Sequence, residues 1–345
     1  MGLLRRIARA RLASQVIRRL RRSGAPDAKY HSGTFTVRFT PRDGSELTVL
    51  PLDALVLDRK QKRRRQIDKF VAGYLEAGGL PREWQQVCPM LRPVLRGGVP
   101  MTGVAAPLRR PALPFLNEFV VVDQPDTMTY VAADQLAEWG VSAADVFRAA
   151  RGNLSGAVLR SVATEPTVVQ FMDDGDAYWT SHLLLDGWLA GLAEQVGGVP
   201  VAFAPERGTL IVAADGSAHL PDLFGQAELA YLRSPRAITP MAYVSDERGR
   251  TVPYQAPEGH PLHECVLRAE AVQAMQEYAR QGETLKNAAP LELVDGARTR
   301  TVWHEGVLLP QAHEVRIGDE VQSWAEVLPR LTRVADLEPS RWWLG

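Results

Sequence analysis

A strand–strand–helix order recurs along this chain of 345 residues and limits the architectures open to it. The first pass alternates as strands at Thr34–Thr40 and Glu46–Leu50 and continues as a mostly helical segment, Asp53–Ala77. The same order returns at residues 118–154, 167–196, 200–232 and 242–281. Short hairpins between the paired strands favour antiparallel pairing, with helices over one sheet face. The sequence therefore predicts an α+β fold with mainly antiparallel sheet, rather than a doubly wound parallel sheet.

Composition divides the chain into five segments. We expect a basic amphipathic helix at 1–24, a first strand–strand–helix unit at 25–92, an α+β body at 117–285 and a β-rich extension at 286–345. The remaining segment, 93–116, is rich in proline and glycine, and proline removes a backbone donor. Its prolines are residues 93, 100, 107, 111 and 114. The segment is predicted to be a linker without regular secondary structure.

Charge is distributed unevenly, although the totals of 40 basic and 40 acidic residues cancel. Residues 1–110 hold 23 Lys and Arg against 8 Asp and Glu, so their net charge is 23 − 8 = +15. The remaining 235 residues therefore carry −15. A basic segment attracts nucleic acid, an anionic membrane surface or an acidic protein, or it packs against the acidic part of its own chain.

The first helix combines an apolar stripe with arginine on most other positions. Its arginines are residues 5, 6, 9, 11, 18, 19, 21 and 22, and its apolar residues recur at helical spacing from Leu3 to Leu20. Such a helix can lie on an anionic membrane surface. It can equally pack its apolar stripe on the protein body and leave the arginines in water, which is the commoner arrangement in globular proteins.

A second basic run lies in the predicted helix 53–77. Six basic residues occupy seven positions: Arg59, Lys60, Lys62, Arg63, Arg64 and Arg65. They are candidates for binding an anion, because arginine matches the geometry of phosphate. The alternative is a solvated charged helix.

The third pass of the repeat contains an acidic turn. A strand at Thr167–Met172 leads into Asp173–Asp176, and a helix is predicted from Leu183 to Val196. The three carboxylates of the turn could bind a divalent cation, or one of them could serve acid–base chemistry. The Asp-Gly step is also typical of a simple hairpin turn.

Two further clusters could carry chemistry. His260, His263 and Cys265 have the donor types of a metal site, or they are a helix entry with exposed histidines and a buried thiol. Tyr178, Trp179, His182 and Trp188 could line a pocket with a titratable imidazole, or they are core residues, as the helical spacing of Trp188 favours.

No nucleophile elbow, phosphate-binding loop or zinc-protease motif is present, and two cysteines are too few for a zinc ribbon or an iron–sulfur cluster. The sequence thus predicts no cofactor. Met1–Arg22 does not have the pattern of a secretory signal, and no apolar run is long enough to cross a membrane. We expect a cytoplasmic protein, peripheral to the membrane if the first helix binds lipid.

Three blocks of residues carry a family resemblance. They include Phe119–Asp123, Asn153-Leu154, Ser181–Leu185, Pro200-Val201 and Ile238–Pro240. In this order and spacing, residues 34–255 resemble the YtpQ-like family of bacterial proteins of unknown function. The resemblance implies a bacterial cytoplasmic protein and brings no activity or catalytic residue. The arginine-rich first helix and the segment after Gln281 depart from the family pattern.

These observations favour a non-enzymatic binding or adaptor protein whose basic N-terminal part contacts an anionic partner. The alternative is a hydrolase or metal-dependent enzyme that uses the Asp173–Asp176 turn or the His260–Cys265 cluster.

Overall fold

The computed structural model describes residues 3–22, 25, 27–32, 35–39, 48–52, 80–97, 106–124, 127–154, 167–172 and 178–344. The chain divides into two compact units. The first consists of Met1–Met90 and Val122–Thr129, and the second of Leu91–Val121 and Tyr130–Gly345.

The first unit packs one long helix on a three-stranded sheet. Helix α1, Leu3–Arg22, precedes strands β1, β2 and β3, which pair antiparallel in that order and span Lys29–His31, Thr36–Phe39 and Thr48–Pro51. A short helix α2, Trp84–Val87, follows in the chain. Apolar residues from α1 and the sheet form one buried cluster: Leu12, Ala13, Val16, Leu20, Val37, Phe39 and Leu50. Because the helix residues recur at a spacing of three or four, one side of α1 is buried and the arginines are left on the other.

The second unit begins with strands where the sequence predicted a linker. Strand β4, Leu91–Gly97, and strand β5, Arg109–Leu113, flank strand β6, Leu116–Gln124, which also pairs with β7, Thr127–Tyr130.

The linker prediction is therefore wrong for these parts of 93–116. Its two strand prolines lie where a missing donor costs little: Pro93 is in an edge strand, and Pro111 lies beside a register shift in the pairing of β5 with β6. Residues 98–105 lie outside the described residues.

The central sheet of the second unit has five antiparallel strands. Helices α3, Gln135–Trp139, and α4, Ala143–Gly152, precede it in the chain. Its strand order is β12-β11-β9-β10-β8, with β8 at Val169–Met172, β9 at Pro200–Glu206, β10 at Thr209–Ala214, β11 at Ala242–Ser245 and β12 at Thr251–Pro253. Helices α6, Leu220–Arg233, and α7, His263–Gly282, pack against this sheet and each other. The rings of Phe203 and Phe224 meet at a centroid distance of 5.0 Å. The predicted α+β fold with antiparallel sheet is confirmed.

The helix predicted over Leu183–Val196 is instead a series of short turns. It consists of 3₁₀ segments at Trp179–Leu184 and Ala190–Leu192 and a short helix α5, Ala193–Val196. The break occurs at Gly187, which has a positive φ of 77° and donates its N–H to the carbonyl of Gly249 over 2.8 Å. A side chain on Gly249, whose φ is 78°, would come within 3.0 Å of that nitrogen. Two glycines thus allow a close backbone approach that an uninterrupted helix would prevent.

The C-terminal part of the second unit is rich in strands, as expected for 286–345. One sheet has the order β13-β14-β16-β17 and contains a parallel pair, β14–β16; the other has the order β15-β19-β18. The strands are β13 Glu292–Val294, β14 Arg298–Trp303, β15 Leu309–Pro310, β16 Glu314–Ile317, β17 Glu320–Ser323, β18 Leu331–Arg333 and β19 Arg341–Leu344, with helix α8, Trp324–Val327, between β17 and β18.

Arg341 joins this part to α7. It is 0% exposed and donates hydrogen bonds to the side-chain oxygen of Gln281 and to the carbonyls of Tyr278, Ala289 and Leu308 over 2.5–3.0 Å. Its charge is therefore satisfied by neutral oxygens, and burial lowers the pKa of Arg341 to about 10.

Candidate functional site

The exposed side of α1 is the candidate site in the first unit. No Asp or Glu occurs in the helix, and Arg11, Arg18 and Arg22 are exposed and form no salt bridge with any residue that the structure describes. A groove of about 550 Å³ runs along this side, lined among the described residues by Ser14, Ile17, Arg18, Arg21 and Arg22.

Other arginines of α1 have local partners. Arg21 donates to the carbonyl of Ala28 over 3.2 Å, and the guanidinium of Arg9 lies 4.5 Å from the ring centre of Phe35. Basic residues in the last turn also suit the negative end of the helix dipole. The site thus presents fixed positive charge on a helix whose apolar side is already buried.

Two predicted sites lie outside the described residues. They are the basic run Arg59, Lys60, Lys62, Arg63, Arg64 and Arg65, and the acidic turn Asp173–Asp176. Both stay predictions.

His260, His263 and Cys265 do not come together as a metal site. Nδ1 of His260 accepts the N–H of Leu262 over 3.1 Å, and Nδ1 of His263 is hydrogen-bonded to the carbonyl of Ala256 over 2.8 Å. Cys265 packs against the core, where burial raises the pKa of its thiol. Within the described ranges, no group of three or more His, Cys, Asp or Glu side chains is placed to hold a metal ion. The H-x-x-H-x-C spacing is that of a helix entry, where the ring nitrogens satisfy backbone groups instead.

The aromatic residues around His182 belong to the core of the second unit. His182 is 0% exposed and lies between Trp179 and Trp188, at ring-centre distances of 5.2 and 4.8 Å, and Phe171 contacts both indoles. Its Nδ1 lies 3.2 Å from the carbonyl of Tyr178, whereas its Nε2 has no hydrogen-bond partner among the described residues. Burial lowers the pKa of His182, opposed by hydrogen bonds to the backbone at Tyr178 and Trp179. The imidazole is accordingly held neutral.

Buried carboxylates in the second unit each hold arginine, and sequence reasoning missed this role. Glu118 is 0% exposed and accepts from Arg110 and Arg151, with 2.7 Å between the closest atoms of each pair. Arg110 also lies 4.2 Å from the ring centre of Phe147, and the hydrogen bond with Glu118 raises the pKa of Arg151. Glu314 similarly pairs with Arg298 and Arg300. The available signal was a glutamate inside an otherwise apolar strand.

None of the helices that the structure describes has the length and apolar character needed to cross a membrane. Comparison with known proteins identifies no relative: no family model, no curated protein and no solved structure matches the chain. The resemblance to the YtpQ-like family therefore stays a prediction.

Proposed function

We propose that this protein is a non-enzymatic binding or adaptor protein of the cytoplasm, and that the arginine side of α1 contacts an anionic partner. The observation that carries this proposal is the pairing of a buried apolar stripe with exposed Arg11, Arg18 and Arg22, which have no carboxylate partner among the described residues. Unpaired arginines cost little in water and are available to phosphate or carboxylate groups.

The form of the helix narrows the mode of contact. Leu12, Val16 and Leu20 are 0–2% exposed, so the apolar side is occupied and does not serve to insert the helix into lipid. The helix also contains no aromatic residue on which a base could stack. The partner would be recognised through its charge, whether it is a nucleic-acid backbone, an acidic protein or an anionic membrane surface.

Charge neutralisation tests the proposal directly. The triple variant Arg11→Gln, Arg18→Gln, Arg22→Gln removes the exposed charges and keeps good helix formers. Its matched control is Arg233→Gln, Arg248→Gln, Arg316→Gln, which removes the same charge from exposed positions in the second unit. Binding of both variants and the parent would be measured against a short DNA duplex, vesicles containing phosphatidylserine, and polyglutamate, over a series of salt concentrations.

The expected result is weaker binding of one of these probes by the α1 variant alone. For duplex DNA, the slope of log affinity against log salt concentration should fall by about 2 to 3, because each phosphate contact contributes about 0.9. If the two triple variants and the parent bind all three probes equally at every salt concentration, the arginine side of α1 is not a contact surface.

A further inference from the structure

Arg96 in β4 is a buried cation whose bonding is incomplete. The residue is 6% exposed, its Nη1 donates to the carbonyl of its neighbour Leu95 over 2.7 Å, and its guanidinium is hydrogen-bonded to the hydroxyl of Tyr130. Its Nε is buried and has no hydrogen-bond partner among the described residues. Burying a charge is costly unless the charge is paired or fully hydrogen-bonded.

Comparison with other arginines of the same unit makes Arg96 the exception. Arg341 is equally buried, but four oxygens accept its hydrogen bonds. Arg110 and Arg151 are anchored on the buried carboxylate of Glu118. None of the salt bridges among the described residues includes Arg96.

Two further arginines face this one. The N–H of Arg207, in the turn between β9 and β10, donates to the carbonyl of Arg236 over 3.1 Å, so the two residues are held side by side by the backbone. Both are close enough to Arg96 for their positive charges to lower its pKa, after the larger effect of burial, to about 10. The neighbouring carboxylate of Glu206 is engaged in its own turn, where Oε1 accepts from the N–H of Gly208 and the hydroxyl of Thr209. Like charges are thus gathered around a buried donor.

We infer that Arg96, Arg207 and Arg236 form a binding site for the phosphate group of a small molecule. A tetrahedral oxyanion would accept from the unpartnered Nε of Arg96, neutralise the repulsion among three guanidinium groups and bond to each of them. Arg96 supplies the buried end of the site, while half-buried Arg207 and exposed Arg236 supply its open end. This site lies in the second unit and is independent of the α1 surface.

Inorganic phosphate is the probe for this site, with binding followed by titration calorimetry and melting temperature at constant ionic strength in chloride. The parent should bind one phosphate saturably and melt at a higher temperature in its presence. Arg207→Gln and Arg236→Gln should each weaken phosphate about tenfold, since each removes one charge-assisted contact. Arg233→Gln, in the last turn of α6, is the matched control and should bind as the parent does.

Arg96→Met gives the most specific result. It should abolish phosphate binding and, without phosphate, melt no lower than the parent, because it replaces an uncompensated buried charge with an apolar side chain. A large drop in its melting temperature would show that Arg96 has an anionic partner within the chain, and the site would be rejected. If Arg96→Met does not fold, the site is rejected on that ground too.

Two other outcomes would overturn the inference. One is the absence of saturable phosphate binding by the parent. The other is phosphate binding that persists in Arg207→Gln and Arg236→Gln but is lost in the Arg11, Arg18, Arg22 triple variant, which would place the phosphate on α1. The phosphate site and the α1 contact can therefore fail separately.

Discussion

The arginines of α1 and those of the second unit are used in opposite ways. In α1, Arg11, Arg18 and Arg22 are exposed and unpaired among the described residues, and their helix contains no acidic residue. In the second unit, arginines close on buried carboxylates, as Arg110 and Arg151 do on Glu118. A basic charge surplus therefore stabilises the fold in one place and is left over in the other.

The difference has an energetic reason. A buried carboxylate is stable only when cations satisfy it, so its arginines cannot be released without a large loss. An exposed arginine contributes little to folding and can change partner without cost to the fold. The net charge of +15 over residues 1–110 is thus best explained by a surface that meets other molecules, whereas the second unit neutralises part of its own charge.

The largest expected effect comes from breaking the paired side of this comparison. Glu118→Ala leaves two cations without their shared carboxylate in a partly buried place, and we expect it to lower the free energy of unfolding by about 3–5 kcal/mol. Urea unfolding of parent and variant measures this. Asp246→Asn, which breaks the more exposed pair with Arg250, is the control and should unfold with the parent. Equal stability of Glu118→Ala and parent would mean that the Glu118 pairs do not hold the fold.

Leu20→Ala tests whether α1 is part of the first unit. Leu20 is 0% exposed in the cluster with Val37 and Phe39, and its truncation should lower the free energy of unfolding by about 3 kcal/mol through lost burial and the cavity left behind. Amide hydrogen exchange should show the loss in α1 and in β1–β3. Ser14→Ala, exposed on the same helix, is the control. Unchanged exchange in β1–β3 would show that α1 is not packed on this sheet.

Much of the fold could be predicted from the sequence, because hydrophobic periodicity reports which face of an element is buried. Strand pairs such as β9–β10 and helices such as α7 lie where their patterns placed them. The errors arose where tertiary contacts outweigh local propensity. Pro93 and Pro111 suggested a linker, but an edge strand tolerates proline. The helix over 183–196 is broken by a backbone contact between Gly187 and Gly249, which are distant in sequence.

The candidate sites were less predictable than the fold. The basic side of α1 follows from spacing alone, because an apolar stripe fixes where the other residues point. Arg96 could not be recognised, since a single arginine in an apolar segment does not reveal whether a carboxylate will meet it. His260, His263 and Cys265 show the reverse error, because close sequence spacing did not bring their donor atoms to one point.

His182 should make stability depend on pH. Burial lowers its pKa in the folded protein, so below about pH 6.5 the unfolded chain binds more protons and folding becomes less favourable as the pH falls. A tenfold difference in proton affinity corresponds to about 1.4 kcal/mol. Between about pH 7.5 and about pH 5.5, the parent should therefore lose more stability than His182→Asn, which keeps a donor for the Tyr178 carbonyl.

The control for this experiment is His219→Asn, at an exposed position before α6. Urea unfolding at both pH values measures the effect, and His219→Asn should follow the parent. Parallel loss of stability in the parent and His182→Asn would assign the acid sensitivity to other groups.

The smallest expected effect is on the α1 side of the comparison, and it is the one that separates the two uses of arginine. The triple variant Arg11→Gln, Arg18→Gln, Arg22→Gln should change the free energy of unfolding by less than about 1 kcal/mol, mostly through the lost interaction of Arg22 with the helix dipole. The double variant Arg110→Gln, Arg151→Gln removes fewer charges but should cost about 3–5 kcal/mol, because Glu118 is then buried without a cation. Urea unfolding of both variants gives the comparison. If the α1 variant loses as much stability as the double variant, its arginines are paired within the chain and are not free to bind a partner, since the same contacts cannot serve the fold and an external anion together.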